Sequence, residues 1–235
     1  MIEKPEIFKK VYAIDGEITQ PNMGMKPDDL KRVIETTQIV FHIAASLKNE
    51  APLRYNVIFN VVGTKNVLDL AKQMKNLIHF QHVSTTMCIV EPKVVEEKYY
   101  EHPHNPDDLI RMSEWMSDEA MSAMQKELLG DRFSNTYMYT KRLAETLVQR
   151  EYPNMPVCIV RPSLVMPSRL EPFPGWVDSM NGLTGIFVAG GRGVLRSLLI
   201  DLDGSAEIIP VDTAINGMIM VCKKLSMTEI GRAHV

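Results

Sequence analysis

The chain is poor in the features that mark several functional classes. It has 3 cysteines in 235 residues, Cys88, Cys158 and Cys222, far apart and without CxxC or metal-type spacing. That rules out a disulfide scaffold or a cysteine-based metal knuckle and predicts buried free thiols. The formal net charge of -3 offers no basic face, so nucleic acid is not an expected partner. No apolar run approaches the ~18 residues of a membrane span and no signal peptide opens the chain, so it reads as soluble as given. A glycine fingerprint after a first strand, where helix N–H groups hold a pyrophosphate, is also missing: no Gly-x-x-Gly-x-x-Gly occurs. Ala189-Gly190-Gly191-Arg192-Gly193 is glycine-rich but follows no strand, so it reads as a turn. We therefore expect an internal fragment without its N-terminal βαβ unit, with 229–235 as an adapter-derived tail.

What is present has the rhythm of an α/β fold. Val11–Ile14 is a short β-prone run broken by Asp15-Gly16. A helix should start at Pro27, capped by Asp28 and burying Leu30, Val33 and Ile34. Ile39–Ala45 is a continuous apolar run, the pattern of a parallel strand covered on both faces. A long helix follows from Asn56 to about Lys75, then a strand at Ile78–Val83 ending in Ser84-Thr85-Thr86. The alternation predicts a doubly wound parallel sheet, Rossmann-like. Residues 91–130 break the rhythm as a helical insertion, with one helix expected from Asp107 to Leu129. Strand Val157–Val160 closes on Arg161-Pro162-Ser163, and a proline-rich stretch leads to a short strand at Ile208–Asp212 and a helix from Thr213 to about Lys224. The organisation expected is one partial domain over 1–228, with 162–206 on the substrate side.

Chemistry concentrates in Tyr137-Met138-Tyr139-Thr140-Lys141, the chain's single Tyr-x-x-x-Lys. Residues four apart share a helical face, so a lysine ammonium beside the tyrosine would lower its pKa. Such a tyrosine can protonate a carbonyl oxygen that is receiving a hydride. Ligands of open α/β sheets bind at the carboxyl ends of strands. Ser84-Thr85-Thr86 lies at such an end and offers a hydroxyl, although a turn after a strand is an equal reading of those three residues alone. Ala44 and Ala45, also at a strand end, are small enough for a cofactor to lie close to the backbone. His102 and His104, between prolines and with no cysteine or carboxylate at ligand spacing, read as loop residues, and no metal is expected. Met112, Met116, Met121 and Met124 read as a packing face, Gln81 and His82 as structural.

With these residues in order, the chain resembles the reductase domain of alcohol-forming fatty acyl-CoA reductases, notably insect ones, within the extended short-chain dehydrogenase/reductase fold. The similarity rests on Val40–Ala45, Asn60-Val61-Val62-Gly63-Thr64, His82-Val83-Ser84-Thr85, Arg161-Pro162-Ser163, Glu171–Asp178, Gly193–Arg196 and Pro210-Val211-Asp212. The resemblance implies NADPH as cofactor and a long-chain fatty acyl-CoA as substrate, reduced through an aldehyde to the alcohol. It implies Tyr137 as proton donor, and Lys141 as the cation that lowers its pKa and holds the nicotinamide ribose. Thr85, with Ser84 second, would bind the substrate oxygen. Ala44, Ala45, Arg161, Pro162 and Ser163 would line the cofactor, and Glu171–Trp176 would shape the acyl or pantetheine path. It also implies a full-length parent on the cytosolic face of the endoplasmic reticulum or peroxisomal membrane. Thr86-Met87, Ser134 and Ser179 depart from the family pattern, beside the chemistry rather than in it. Two alternatives stand: another extended short-chain reductase or epimerase acting on a ketone or sugar, and a truncated, non-catalytic product unable to bind cofactor.

Overall fold

The computed structural model describes residues 5–91, 94–201, 203–204 and 206–227. The tail at 229–235 lies outside them. In chain order the elements that matter are helix α1 (Pro27–Thr36), strand β1 (Ile39–His42), helices α2 (Leu53–Asn56) and α3 (Gly63–Ala71), and strand β2 (His79–Val83). Helices α4 (Pro106–Trp115), α5 (Asp118–Leu129) and α6 (Thr136–Glu151) follow, then strands β3 (Val157–Val160) and β4 (Leu164–Met166). Helix α7 (Leu183–Gly191), strand β5 (Ile208–Pro210) and helix α8 (Val211–Met227) complete the set.

Strands β1, β2 and β3 form a parallel sheet in that order, with Val40 opposite Phe80 and Phe80 opposite Val157. Parallel neighbours need helical crossovers, which α2–α3 and the α4–α6 region supply. Strand β2 is buried along its whole length, as a central strand with both faces covered should be. One face packs Phe80 and Val157 against Val57, Val61, Leu143 and Leu147. On the other, Val83 meets Ala214 and Met218 of α8. Strands β4 and β5 form a separate parallel pair.

The structure corrects several expectations. Val11–Ile14 is not a strand; it finds no sheet partner among the described residues, and Val11 and Tyr12 are exposed. β1 is an edge strand rather than one covered on both faces: Ile39 is 41% and Phe41 40% exposed. Helix α8 packs on the neighbouring β2 through Ala214 and Met218 against Val83. Lys26, not Asp28, precedes α1, where Pro27 supplies the preset first-turn φ and Asp28 sits within that turn. The single helix expected over 107–129 is two, because Ser117 caps α5 by accepting from the Ala120 N–H at 3.2 Å. Ala189–Gly191 ends helix α7 instead of forming a free turn, and Gly193 follows at φ 71. Of the methionine row, Met121 is buried and Met112 and Met116 pack against the core, while Met124 is exposed.

Helices α2 and α3 run on through a π-helical segment, Val57–Val62, and their axis carries a polar seam against α6. Asn56 Nδ2 donates to Thr136 Oγ1 at 2.7 Å, and Asn60 Nδ2 donates to Thr140 Oγ1 at 3.1 Å. Asn60 Oδ1 also accepts the Ser46 N–H at 2.8 Å, which ties down the loop after β1. All of these groups are buried, so each needs its partner. Asn60→Ala is therefore expected to lower unfolding free energy by about 1–3 kcal/mol, measured by urea denaturation, since it leaves the buried Ser46 N–H without its acceptor and removes a bond to Thr140 Oγ1.

Candidate functional site

Helix α6 begins where Asn135 accepts the Met138 N–H at 2.9 Å, which fixes the helical phase of everything after it. That phase sets Tyr137, Lys141 and Glu145 on one side, four residues apart. Lys141 is buried, and its Nζ donates to the Val83 carbonyl at 2.7 Å, at the carboxyl end of β2. The next residues along β2 are Ser84 and Thr85, both buried. The lysine thus draws the α6 face and the β2 terminus to one place.

Burial lowers the Lys141 ammonium from 10.5 to about 8, while the nearby Glu145 carboxylate acts to hold it up. Burial likewise pushes the Tyr137 phenol up to about 12. The expected lowering of Tyr137 by Lys141 is not seen: burial of the phenol dominates, and the Lys141 Nζ hydrogen-bonds the Val83 carbonyl. The buried neighbours His42 and His82 stay neutral: burial, and then the charge of Lys141, pull His42 to about 3 and His82 well below its ordinary value. Thr85 accepts the Met87 N–H at 3.2 Å and leaves its own O–H to donate. Ser84 is paired with the Cys88 thiol at 3.6 Å, so Thr85 is the freer hydroxyl.

The carboxyl end of β3 closes the site from the other side. The Pro162 carbonyl accepts the Thr86 N–H at 3.1 Å, and Ser163 is half-buried beside it. The Arg161 guanidinium is committed elsewhere: Nε and Nη2 each reach Glu145 at 2.8 Å, and Nη1 donates to the Lys98 carbonyl at 3.0 Å. The Arg161 side chain is thus tied to Glu145 and Lys98, which leaves its backbone to border the cleft. Ala44 is exposed and Ala45 half-buried just past β1. His102 and His104 brace α6 instead: His102 Nδ1 accepts the His104 N–H at 2.9 Å, and His104 Nδ1 pairs with the Tyr139 hydroxyl at 2.9 Å.

A family model described as "Male sterility protein", of the NAD-binding class, matches residues 1–218. The chain belongs to this family. It is 43% identical over 214 residues to "Fatty acyl-CoA reductase 1" of Pongo abelii, covering 91% of this chain and 41% of that protein. It is 39% identical over 217 residues to "Fatty acyl-CoA reductase 2" of Mus musculus, covering 92% of this chain and 42% of that one. The chain thus spans about 40% of the length of these relatives. Among solved structures, the terminal R domain of the myxalamid PKS-NRPS pathway aligns with a TM-score of 0.63 at 19% identity, over 97% of this chain and 50% of that one. A UDP-galactose 4-epimerase aligns at 0.57 and 15% identity, over 92% of this chain and 58% of that chain. These structures share the parallel-sheet, extended short-chain reductase architecture.

As a male sterility family member the chain carries a nicotinamide-binding domain, and its residues fit such a group. Lys141 has three ammonium hydrogens and spends one on Val83, leaving donors for ribose hydroxyls. A second feature lies on the β4–β5 side. The Asp212 carboxylate accepts the N–H groups of Arg169, Leu170 and Glu171 at 2.9, 2.8 and 3.1 Å, and that of Thr213 at 3.1 Å. These amides, Arg169 foremost, hold its carboxyl down at about 2. Ser168 completes the loop by donating to the Phe173 carbonyl at 2.6 Å and accepting the Trp176 N–H at 3.2 Å. The Glu171–Trp176 stretch is therefore fixed at its base by Asp212, a residue whose role its position in the sequence did not announce.

Proposed function

We propose that the full-length protein reduces long-chain fatty acyl-CoA to the primary alcohol with NADPH, through the aldehyde. The observation that carries this reading is the Lys141–Val83 hydrogen bond, which sets the Tyr137 helix beside the Ser84-Thr85 terminus of β2. Its support also includes the similarity to fatty acyl-CoA reductases along 91% of the chain. A bound nicotinamide supplies the hydride. Thr85 donates a hydrogen bond to the substrate carbonyl oxygen and Tyr137 gives that oxygen its proton, which stabilises the charge that develops there. Lys141 holds the ribose hydroxyls and keeps a positive charge near the reacting oxygen. Ala44, Ala45, Pro162 and Ser163 border the cofactor with little side-chain bulk. The proposal extends to attachment of the full-length protein to the cytosolic face of the endoplasmic reticulum or peroxisomal membrane. No described helix is long and apolar enough to cross a bilayer.

The test is substrate choice. Purified full-length protein is expected to oxidise NADPH when given a long-chain acyl-CoA and to ignore simple ketones and UDP-sugars. Turnover of a UDP-sugar or ketone, with none on acyl-CoA, would assign it to another branch of the same fold. Asp212→Ala, which frees the base of the 169–176 loop, is expected to raise KM for acyl-CoA several-fold. KM for NADPH should stay unchanged, as steady-state kinetics with each substrate varied will report.

A further inference from the structure

Continuing four residues past Lys141 leads to Glu145, a carboxylate that is fully buried. A buried charge must be paired and hydrogen-bonded to persist. Glu145 meets this with a two-pronged bond to Arg161: Nε to Oε1 and Nη2 to Oε2, both at 2.8 Å. A bidentate pair of this kind fixes direction as well as distance. Its Oε1 also accepts the Cys88 thiol at 3.6 Å. The same thiol reaches the Thr85 carbonyl at 3.1 Å and the Ser84 hydroxyl at 3.6 Å. From the other partner, the chain runs from Arg161 directly into Pro162, whose carbonyl holds the Thr86 N–H. Both arms of the ion pair therefore end on one short turn, Ser84–Cys88, by way of Cys88 on one side and Pro162 on the other. That turn presents the Thr85 hydroxyl.

We propose that Glu145, clamped by Arg161, is a positioning residue of the candidate active site: it fixes the Ser84–Cys88 turn against α6 and so sets the Thr85 hydroxyl in register with Tyr137 and Lys141. The proposal rests on the reductase reading for its kinetic consequence, though not for the geometry. The pair does more than pack, because its carboxylate is also a near negative charge for Lys141. The other groups around that lysine are Tyr137 on α6, His42 on β1, His82 on β2, Cys88 in the turn and Arg161 after β3. Cys88, its thiol pushed by burial up to about 12, is uncharged at neutral pH, as are the two histidines and Tyr137. Glu145 is thus the anion among them that supports the ammonium. Converting it to an amide leaves Arg161 as an unbalanced cation nearby, and Lys141 then gives up its proton at lower pH.

Glu145→Gln in the full-length protein provides two readouts. Amide hydrogen exchange, which needs no turnover, is expected to speed up at 84–88 and 161–163 while α3 and the body of β2 stay protected. In kinetics, kcat is expected to fall roughly tenfold to a hundredfold, the size of effect that small misplacements of reacting groups produce. The alkaline limb of kcat/KM should also move to lower pH, and KM for NADPH should stay within about twofold, since no cofactor contact is removed. Should the single variant fail to fold, Glu145→Gln/Arg161→Gln removes both charges together and is read the same way at 84–88. Unchanged exchange in that turn, or a uniform rise across the sheet with an unmoved pH limb, overturns the proposal. A wild-type protein inactive on acyl-CoA, with the local exchange effect intact, refutes the reductase reading and leaves the positioning geometry standing.

Discussion

Tyr137→Phe in the full-length protein is expected to lower alcohol formation by about 10²–10⁴-fold, the range a positioned proton donor contributes. NADPH affinity and thermal stability are expected to stay close to those of the parent. The reasons are local. The phenol has no hydrogen-bond partner among the described residues, so its removal orphans nothing, and the ring that packs against the core is kept. Burial holds the phenol at about 12, so it carries its proton throughout the physiological range and is in the form a donor needs. Rate and cofactor titrations on the same preparation check both halves. A Tyr137→Phe enzyme with unaltered turnover would remove Tyr137 from the chemistry.

Lys141→Met is expected to be as damaging to rate, by about 10²-fold or more, because it deletes the preorganised positive charge beside the developing oxyanion. NADPH binding should weaken as well, since the donors for the ribose are lost. The pH dependence separates this residue from a merely structural one. The charged lysine is the working form, and it loses its proton at about 8 rather than at 10.5. Activity is therefore present below that value and declines as pH rises through it. Stability behaves in the opposite sense. The folded state binds the Lys141 proton less tightly than the unfolded chain does, so the charged lysine costs stability below about 8, and that cost is relieved as pH rises toward 10.5. Lys141→Met should consequently be neutral or stabilising at pH 7 while nearly inactive, a trade between activity and stability that melting curves and rates reveal together.

The placement of the candidate site residues was more legible in the sequence than the edges of the fold. Tyr137 and Lys141 were legible because a four-residue spacing on a helix is a geometric statement in itself. Extending the same spacing once more reaches Glu145, which pairs with the Arg161 that follows β3. The break between α4 and α5, where one helix was expected, falls at Ser117 followed by Asp118 and Glu119, the composition of a helix start. Val11–Ile14 shows the opposite limit. Strand propensity describes a fit to neighbours, and with no partner strand the run stays irregular. β1 reads as a buried strand by composition yet lies at an edge among the described residues, because pairing with a neighbouring strand is set by the sheet order and not by the strand's own residues. The bracing of the 169–176 loop by Asp212 joins residues 41 to 43 positions apart, a separation that no local pattern encodes.

Reduction of a thioester to an alcohol takes two hydrides, so stoichiometry is the most direct check on the proposed activity. The full-length protein, given limiting long-chain acyl-CoA, is expected to consume two NADPH for each fatty alcohol released and each free CoA thiol titrated. One NADPH per thiol with aldehyde accumulating, or no acyl-CoA-dependent oxidation at all, would contradict it.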